Sequence, residues 1–595
     1  MKKIFDSKNW LTSLLVIGFM VALCCGMIGW WQYYAQEGKA ISFWTSLYLT
    51  LQLLNLGGYP ADIMRVPVWF DIARFLMPLV LATTLLRIFI LLFRRQWDTI
   101  RIYYFRNHYI FCGYNELTRK LIRDIDKANK GEERKNKKIQ VVIIDEVTEP
   151  DILDDQAFNS NVRLIKGKVT DESTLTRANI EHAKHILALA LEDNINLTIA
   201  KNIKSLLSTK SSSAEQVKIT IKLEDFYNLR MFKDFQGTEK DTDNETTKQI
   251  DFHAFDPEQL IASRIIDTYN PAKSGELLNE DAPAAHILIM GLGSLGQKLL
   301  VEAAHIYHFP NLLKLKVTLV DHAINEKMRA MKFMQPFLSD IIDIDLVEIE
   351  DLMQLKARFD TSDIQICFVT APNDSECIQR SIQLRQFLFD RLKNEATPEI
   401  VAVLTTEDLQ KDLLELTYNK KFFHKINVSA NYVGSFLSRE SIIDDRNEVD
   451  NKYAKNIHES WLNETQKEES RKTGNWDRLS DSEKDSNRYP ARHYKHVKLP
   501  FLQKNNCNSL FDSEVNLSPI GIVLGKMEHN RWNAEKLLTG FVKGDANIPD
   551  IADRDIKNRL KYHYCLCPWD QLTLDDQLKD VRPTEYLLKK QQITL

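Results

Sequence analysis

Residues 285–306 read AHILIMGLGSLGQKLLVEAAHI, and the order of features in this stretch decides the fold. Ala285–Met290 is a short apolar run closed by glycine, the mark of a buried strand. It leads into Gly291-Leu292-Gly293-Ser294-Leu295-Gly296 and then the amphipathic segment Gln297–Ile306. About 25 residues past Gly296, the strand Lys316–Val320 ends at Asp321. Strand, glycine turn, helix and acidic strand end together form the dinucleotide fingerprint. Gly293 lets a phosphate approach the amides at the helix start, and Asp321 can accept from ribose hydroxyls. The pattern suits NAD(H) or another nucleotide; degenerate copies also serve as bare scaffold, so both uses stay open. Strands at Gln365–Thr370 and Ile400–Leu404 extend this unit, placing a doubly wound domain over 284–440.

Upstream lies a second unit of the same kind. His108–Gly113 reads as a buried strand and turn, followed by the amphipathic segment Leu117–Ile125 and strands at Gln140–Asp145, Val162–Ile165, His185–Leu191 and Lys218–Leu223. Alternating strands and helices predict a mostly parallel, doubly wound sheet over 107–275. Gly113, Asp145, Gly167, Leu175, Ala178, Ala183, Asp193 and Asn196 occur in an order that resembles the TrkA-N or RCK domain, which implies a part in gating potassium channels and transporters. Gly113 and Asp145 are then the cofactor-binding positions. The turn departs from the fingerprint at Asn115, which crowds the approach a pyrophosphate needs, and at Lys168, where the family often has aspartate. A structural gating fold is the expected role of this first unit.

The chain before residue 107 differs in kind. Leu11–Trp31 is an uncharged run of about 21 residues, roughly 31 Å as a helix and enough to cross a bilayer. Trp10 at one end and Trp30, Trp31, Tyr33 and Tyr34 at the other suit the interfacial belts. Lys2 and Lys3 also fit a signal peptide, but Trp30-Trp31 stand where small cleavage-site residues belong. A second apolar stretch, 68–93, contains Arg87 and ends at Arg94-Arg95. Basic residues before the first span and after the second predict both termini in the cytoplasm. Between them, Ser42–Leu56 is amphipathic, and Gly57-Gly58-Tyr59-Pro60 breaks it. A short helix and glycine turn between two spans resembles the pore loop of two-helix cation channels, which implies pore positions Asn55, Leu56, Gly57, Gly58 and Tyr59. An apolar extracellular loop is the alternative. Pro60 stands where the potassium signature has glycine and supplies no backbone donor, so the ion is not readable.

Residues 441–485 are rich in Asp, Glu, Lys, Asn and Ser and read as a charged, solvated linker or exposed helices, with Trp461 and Trp476 as anchors. Beyond it, Glu528-His529-Asn530-Arg531-Trp532-Asn533-Ala534-Glu535-Lys536, then Leu538-Thr539-Gly540-Phe541, His563, Leu566, Pro568-Trp569-Asp570, Leu572 and Lys579-Asp580 resemble the RyR repeat domain, over 486–595. Phe541 replaces the usual tryptophan. Glu528, Arg531, Trp532 and Glu535 share a helical face and could stack a base or pair with its phosphate. With His529, His563 and Trp569 they form the candidate ligand site; core packing is the alternative for both tryptophans. The resemblance implies a sensor of nucleotide-type ligands. His563, Cys565 and Cys567 are too closely spaced to wrap one zinc ion.

Composition excludes two classes. The 595-residue chain carries a net charge of −4, which argues against a nucleic-acid binder, and its eight cysteines lack the spacing of a disulfide scaffold. The expectation is a multi-pass protein of the bacterial inner membrane: a two-helix pore module (1–106), two Rossmann-like domains and a small, mainly helical domain. It would be a ligand-gated channel for an inorganic cation, assembled as a homo-oligomer, most simply a tetramer, and sensing a nucleotide-type ligand. Association of these families extends this to an effector of nucleotide-signalled bacterial defence. A membrane-tethered sensor without conduction and an NAD(P)-dependent membrane oxidoreductase are the alternatives. The chain offers no identifiable catalytic constellation, so it is not expected to be an enzyme.

Overall fold

The computed structural model describes residues 10–55, 57, 66–131, 138–146, 161–208, 217–235, 250–349, 363–392, 398–406, 428–443, 448–464, 476, 479–513, 515–544 and 560–594. They fall into two compact units, Met1–Tyr104 and Phe105–Leu595.

The first unit holds helices Trp10–Gln36 and Val68–Tyr103, with the short helix Phe43–Gln52 between them. Ser13–Gln36 and Val68–Phe89 are long and apolar enough to cross a membrane. Their mutual contact is close because one side is glycine: a Cβ on Gly29 would lie 2.8 Å from the Phe70 backbone nitrogen. Small residues of this kind let helix backbones approach where hydrophobic burial supplies no drive. Trp30 fills the space beside Gly29 and meets the Phe70 ring edge-on at 4.9 Å. Away from this seam, Leu14, Ile17, Met20, Leu79, Leu85 and Phe89 point outward. Such a continuous apolar exterior needs lipid or another subunit against it. Ser42 caps the short helix by accepting from the Thr45 amide. The polar groups of its buried residues Ser46 and Thr50 are spent on its own carbonyls.

The second unit contains two six-stranded sheets in which every strand pair is parallel. The first is built from β1 (His108–Cys112), β2 (Val141–Asp145), β3 (Val162–Lys166), β4 (Ala183–Ala188), β5 (Val217–Lys222) and β6 (Ile250–Phe255), in the order β3-β2-β1-β4-β5-β6. The second repeats that order, β9-β8-β7-β10-β11-β12. Its strands are β7 (His286–Met290), β8 (Lys316–Asp321), β9 (Asp343–Glu348), β10 (Ile366–Val369), β11 (Glu399–Leu404) and β12 (Val428–Tyr432). In each sheet the chain reverses direction of growth after the third strand. The glycine turn therefore opens into a crevice between β1 and β4, and again between β7 and β10, the switch points where such sheets bind ligands.

The remaining chain is mainly helical, with Glu448–Glu464, Asp481–His493, Leu499–Lys504, Pro519–Leu538 and Leu574–Thr594 around the two-residue pair β13 (Val542–Lys543) and β14 (Tyr562–His563). The expectation of a solvated linker over 441–485 is corrected here. Ile442 and Ile443 are buried in the first sheet's core. Ala454 and Ile457 of helix Glu448–Glu464 join the core shared by the second sheet and the carboxy-terminal helices. Trp476 is packed against that core, whereas Trp461 is 41% exposed and stacks on His458.

Helix Asp481–His493 clamps the two sheets. At its start, Asp481 accepts from the Ala254 amide on β6 at 2.9 Å, and Asp485 pairs with Lys233 of helix Phe226–Phe235 at 2.8 Å. At its end, Arg492 pairs with Asp267 and Glu302 beside the second sheet.

Candidate functional site

The turn of the second sheet has the geometry the fingerprint predicts. Gly291 takes φ +101°, a conformation that L side chains rarely adopt, and a Cβ there would run into the Thr370 carbonyl at the head of β10. Gly296 packs against the Gly291 carbonyl, bringing helix Ser294–Ile306 down onto the strand. Gly293, in contrast, has nothing within 4 Å of a built Cβ. It is the N-cap of that helix and supplies no side-chain cap. The amides of the first turn therefore lack a side-chain acceptor, and the space beside Gly293 is open, as an anion requires.

Asp321 ends β8 beside this turn. Its carboxylate accepts from the Leu292 amide at 2.5 Å, the His322 amide at 2.7 Å and the Lys327 ammonium at 2.6 Å. Three donors thus hold a carboxylate that is itself buried beside the turn. Ser294 and Leu295 complete the turn, and the Ser294 hydroxyl donates to Glu258.

The first sheet carries the same scaffold with its phosphate position closed. Gly113 has φ +102°, and Asp145 accepts from the Tyr114 amide at 2.6 Å, matching Gly291 and Asp321. Asn115 stands at the place of Gly293. Its side-chain oxygen accepts from the Thr118 amide at 3.0 Å, and its amide nitrogen donates to the Leu189 carbonyl. The side chain thus caps the helix and ties the turn to the strand across the switch point. Asp193 and Asn196 hold neighbouring loops: Asp193 takes the Glu224 and Asp225 amides, and Asn196 pairs with Ala190 and Lys222.

The carboxy-terminal candidates are brought together, but their polar groups face one another. Arg531 is 1% exposed and pairs with Glu528 at 2.9 Å and Glu535 at 2.8 Å. Lys498 meets Glu528 from helix Asp481–His493's continuation at 2.7 Å. Burial acts to raise the Glu528 carboxyl, yet Arg531 and Lys498 outweigh it and hold the group far below the usual range. His529 lies between the Asp580 carboxylate and the Cys567 carbonyl. Trp569 is buried against Gly525. Trp532 remains partly open, with His563 edge-on at 4.8 Å and the Lys536 ammonium 5.7 Å from its ring centre. The shared face of Glu528, Arg531 and Glu535 is thus an internal ion network, and only Trp532 with His563 stays accessible. In the first unit, Asn55 closes the turn after helix Phe43–Gln52, and the Gly57 amide donates to the Gln52 carbonyl. Leu56, Gly58 and Tyr59 lie outside the described residues.

Sequence reasoning missed Thr370, Lys327, Lys298 and Glu258 around the second turn. Thr370 ends a strand the sequence does mark, so its place at the switch point was recoverable. Glu258 reaches the turn from a separate helix, and no local pattern announces it.

Buried histidines set a pH dependence. Burial is the first cause of the lowered pKa at His108, to about 4, and at His308, to about 3. It also lowers His185, His286, His305 and His493. Each binds its proton more readily unfolded, near the ordinary histidine pKa of 6.5, so stability is lost as pH falls below that value. His529 is raised, because Asp580 and the Cys567 carbonyl overcome burial, and it opposes the trend. Six groups against one, among the described histidines, predict falling unfolding midpoints from about pH 6.5 toward pH 3, measurable by thermal scans across that range.

Comparison with known proteins places part of this architecture. Residues 109–234, from β1 through helix Phe226–Phe235, match the TrkA-N domain. Over 86 residues the chain is 35% identical to the putative potassium channel protein YugO of Bacillus subtilis (strain 168), a match spanning 14% of this chain and 22% of that relative. Among solved structures, the GsuK channel is similar at 16% identity and TM-score 0.36, over 72% of this chain and 95% of that one. The GsuK channel bound to NAD gives 14% and 0.37 over 72% and 81%, and the human SLO3 gating ring 12% and 0.36 over 56% and 81%. The part of the chain that matches the TrkA-N domain, residues 109–234, thus lies in the first sheet, whose turn is capped by Asn115.

Proposed function

We propose that this chain is one subunit of a cation channel whose opening is governed by a nucleoside phosphate held at Gly291–Gly296. The observation that carries the ligand part is the contrast between the two turns: the same scaffold is capped in the first sheet and open at Gly293 in the second. The conducting part is supported by two apolar helices flanking a short capped helix, and by the 86-residue likeness to a putative potassium channel. Two helices and one short helix cannot enclose a pore, so copies of the chain must assemble, and four would place eight parallel sheets in a cytosolic ring. Basic residues flanking the spans put both termini in the cytoplasm. Helix Val68–Tyr103 leads into β1 through four residues and carries ring movement to the pore. Residues 486–595 are an RyR-type domain that Arg492 fastens to Asp267 and Glu302 beside the second sheet. The protein conducts and senses, and is not an enzyme. Service as a bacterial defence effector rests on the family resemblance and would appear as nucleotide-dependent growth arrest in expressing cells.

The test is ion flux into liposomes containing the full chain, with ADP and NAD+ as probes. Flux that depends on a nucleotide and is lost in Gly293→Leu is the expected result; the added side chain enters open space and should leave the fold intact. Nucleotide-independent flux would overturn the gating part. Nucleotide binding without flux would make the chain a tethered sensor.

A further inference from the structure

Helix Pro257–Thr268 follows directly on β6 of the first sheet and packs along helix Ser294–Ile306 of the second. Its first turn reaches the open phosphate position. Glu258 accepts from the Ser294 hydroxyl and, at 3.1 Å, from the Lys298 ammonium, and Lys298 also pairs with Asp256. Two carboxylates and one ammonium leave a net negative charge beside amides that favour an anion. The carboxylates are not equivalent. Asp256 is buried at 4% exposure and fixed as the helix N-cap by the Glu258 and Gln259 amides. Glu258 is 40% exposed and can rotate into water.

We infer that Glu258 is a built-in competitor for the nucleotide phosphate, holding Ser294 and Lys298 until a phosphate takes them, so that its release reports occupancy to helix Pro257–Thr268. The inference rests on the nucleotide reading of the Gly291–Gly296 turn. A phosphate hydrogen-bonded to Ser294 would come within a few ångströms of the Glu258 carboxylate. Because Glu258 can swing into water, its repulsion of that phosphate lies nearer the value for a pair in bulk water than for one held at a surface, about tenfold in affinity. The opposite end of the same helix carries Asp267, which holds Arg492 of the clamp helix. One element thus touches the phosphate position, continues the first sheet and anchors the carboxy-terminal helices.

The experiment is calorimetric titration of the full chain in detergent with ADP and NAD+, for the wild type, Glu258→Gln and Gly293→Leu. Glu258→Gln is expected to bind about tenfold tighter, and Gly293→Leu to lose binding. Hydrogen exchange at residues 257–262 should rise on nucleotide addition in the wild type and be raised already in Glu258→Gln. Should Glu258→Gln unfold, Glu258→Asp, too short to hold both partners, is expected to tighten binding about threefold. Unchanged affinity in the folded Glu258 variant, with Gly293→Leu still abolishing binding, would overturn the competitor role and leave the turn as the nucleotide site. Binding that survives in Gly293→Leu, or is absent from the wild type and the Glu258 variants alike, would overturn both.

Discussion

Gly296→Val is expected to cost about 3 kcal/mol or more, lowering the thermal midpoint of the second sheet's transition by about 10 °C. A Cβ at Gly296 lands on the Gly291 carbonyl oxygen and lies 3.3 Å from the Thr370 hydroxyl. Neither obstacle can move alone. Gly291 is held at positive φ by the turn, and Thr370 donates its hydroxyl to the Gly291 carbonyl at 2.8 Å. Helix Ser294–Ile306 must therefore lift from the sheet, drawing its own Leu299, Leu300 and Ala303 out of the shared core. Gly293→Leu is the matched control. Its side chain enters open space, so the stability change should stay within about 1 kcal/mol. Thermal scans with hydrogen exchange on β7 and β10 separate the two: exchange there should rise sharply in Gly296→Val and stay unchanged in Gly293→Leu. Equal stability loss in both variants would mean that the turn has no open side.

What could be read from the sequence was local. A six-residue glycine turn, an apolar strand before it and an acidic residue about 25 positions on are enough to specify one half of a doubly wound sheet, and the copy around Gly113 follows the same spacing. The strands that escaped notice, β6, β9 and β12, are all edge strands. An edge strand is covered less, so its residues need not be apolar: β9 reads DIDLVE, with half its positions charged and none fully buried. Helix Glu448–Glu464 was hidden for a similar reason. Its buried positions include Asn451, His458 and Ser460, residue types that composition counts as solvent-facing. At the carboxy-terminal candidates, the i, i+3, i+4 spacing put Glu528, Arg531 and Glu535 on one face, as found. A charged face has the same pattern whether water or Lys498 lies opposite, and only tertiary contact decides between ligand site and internal network. Glu258 belongs to the same class of non-local fact.

Arg492→Leu is expected to destabilise the protein by about 3–5 kcal/mol and to release the carboxy-terminal helices from the second sheet. The guanidinium is 7% exposed. It donates through Nε to both Asp267 oxygens, at 3.1 and 3.0 Å, through one terminal nitrogen to Glu302 at 2.7 Å, and through the other to Asp267 and the Ser263 carbonyl. Asp267 and Glu302 are as deeply buried as Arg492. Removing the cation alone leaves two carboxylates facing each other out of water, and that uncompensated charge, more than the lost attraction, sets the size of the effect. Two comparisons test this cause. Replacing all three groups by apolar ones, Arg492→Met with Asp267→Leu and Glu302→Leu, removes the charges together and should restore most of the loss. Lowering the pH should also narrow the gap between Arg492→Leu and the wild type. The stranded carboxylates then bind protons more readily folded than unfolded, so their contribution rises as pH falls and offsets part of the histidine loss that variant and wild type share. Limited proteolysis with the cut sites mapped by mass, alongside thermal scans at pH 8 and pH 5.5, reads both effects. A gap that stays constant with pH, and a triple variant as weak as the single one, would mean that Arg492 acts by filling space beside Tyr489, whose ring lies 5.8 Å from its guanidinium carbon, rather than by neutralising its partners.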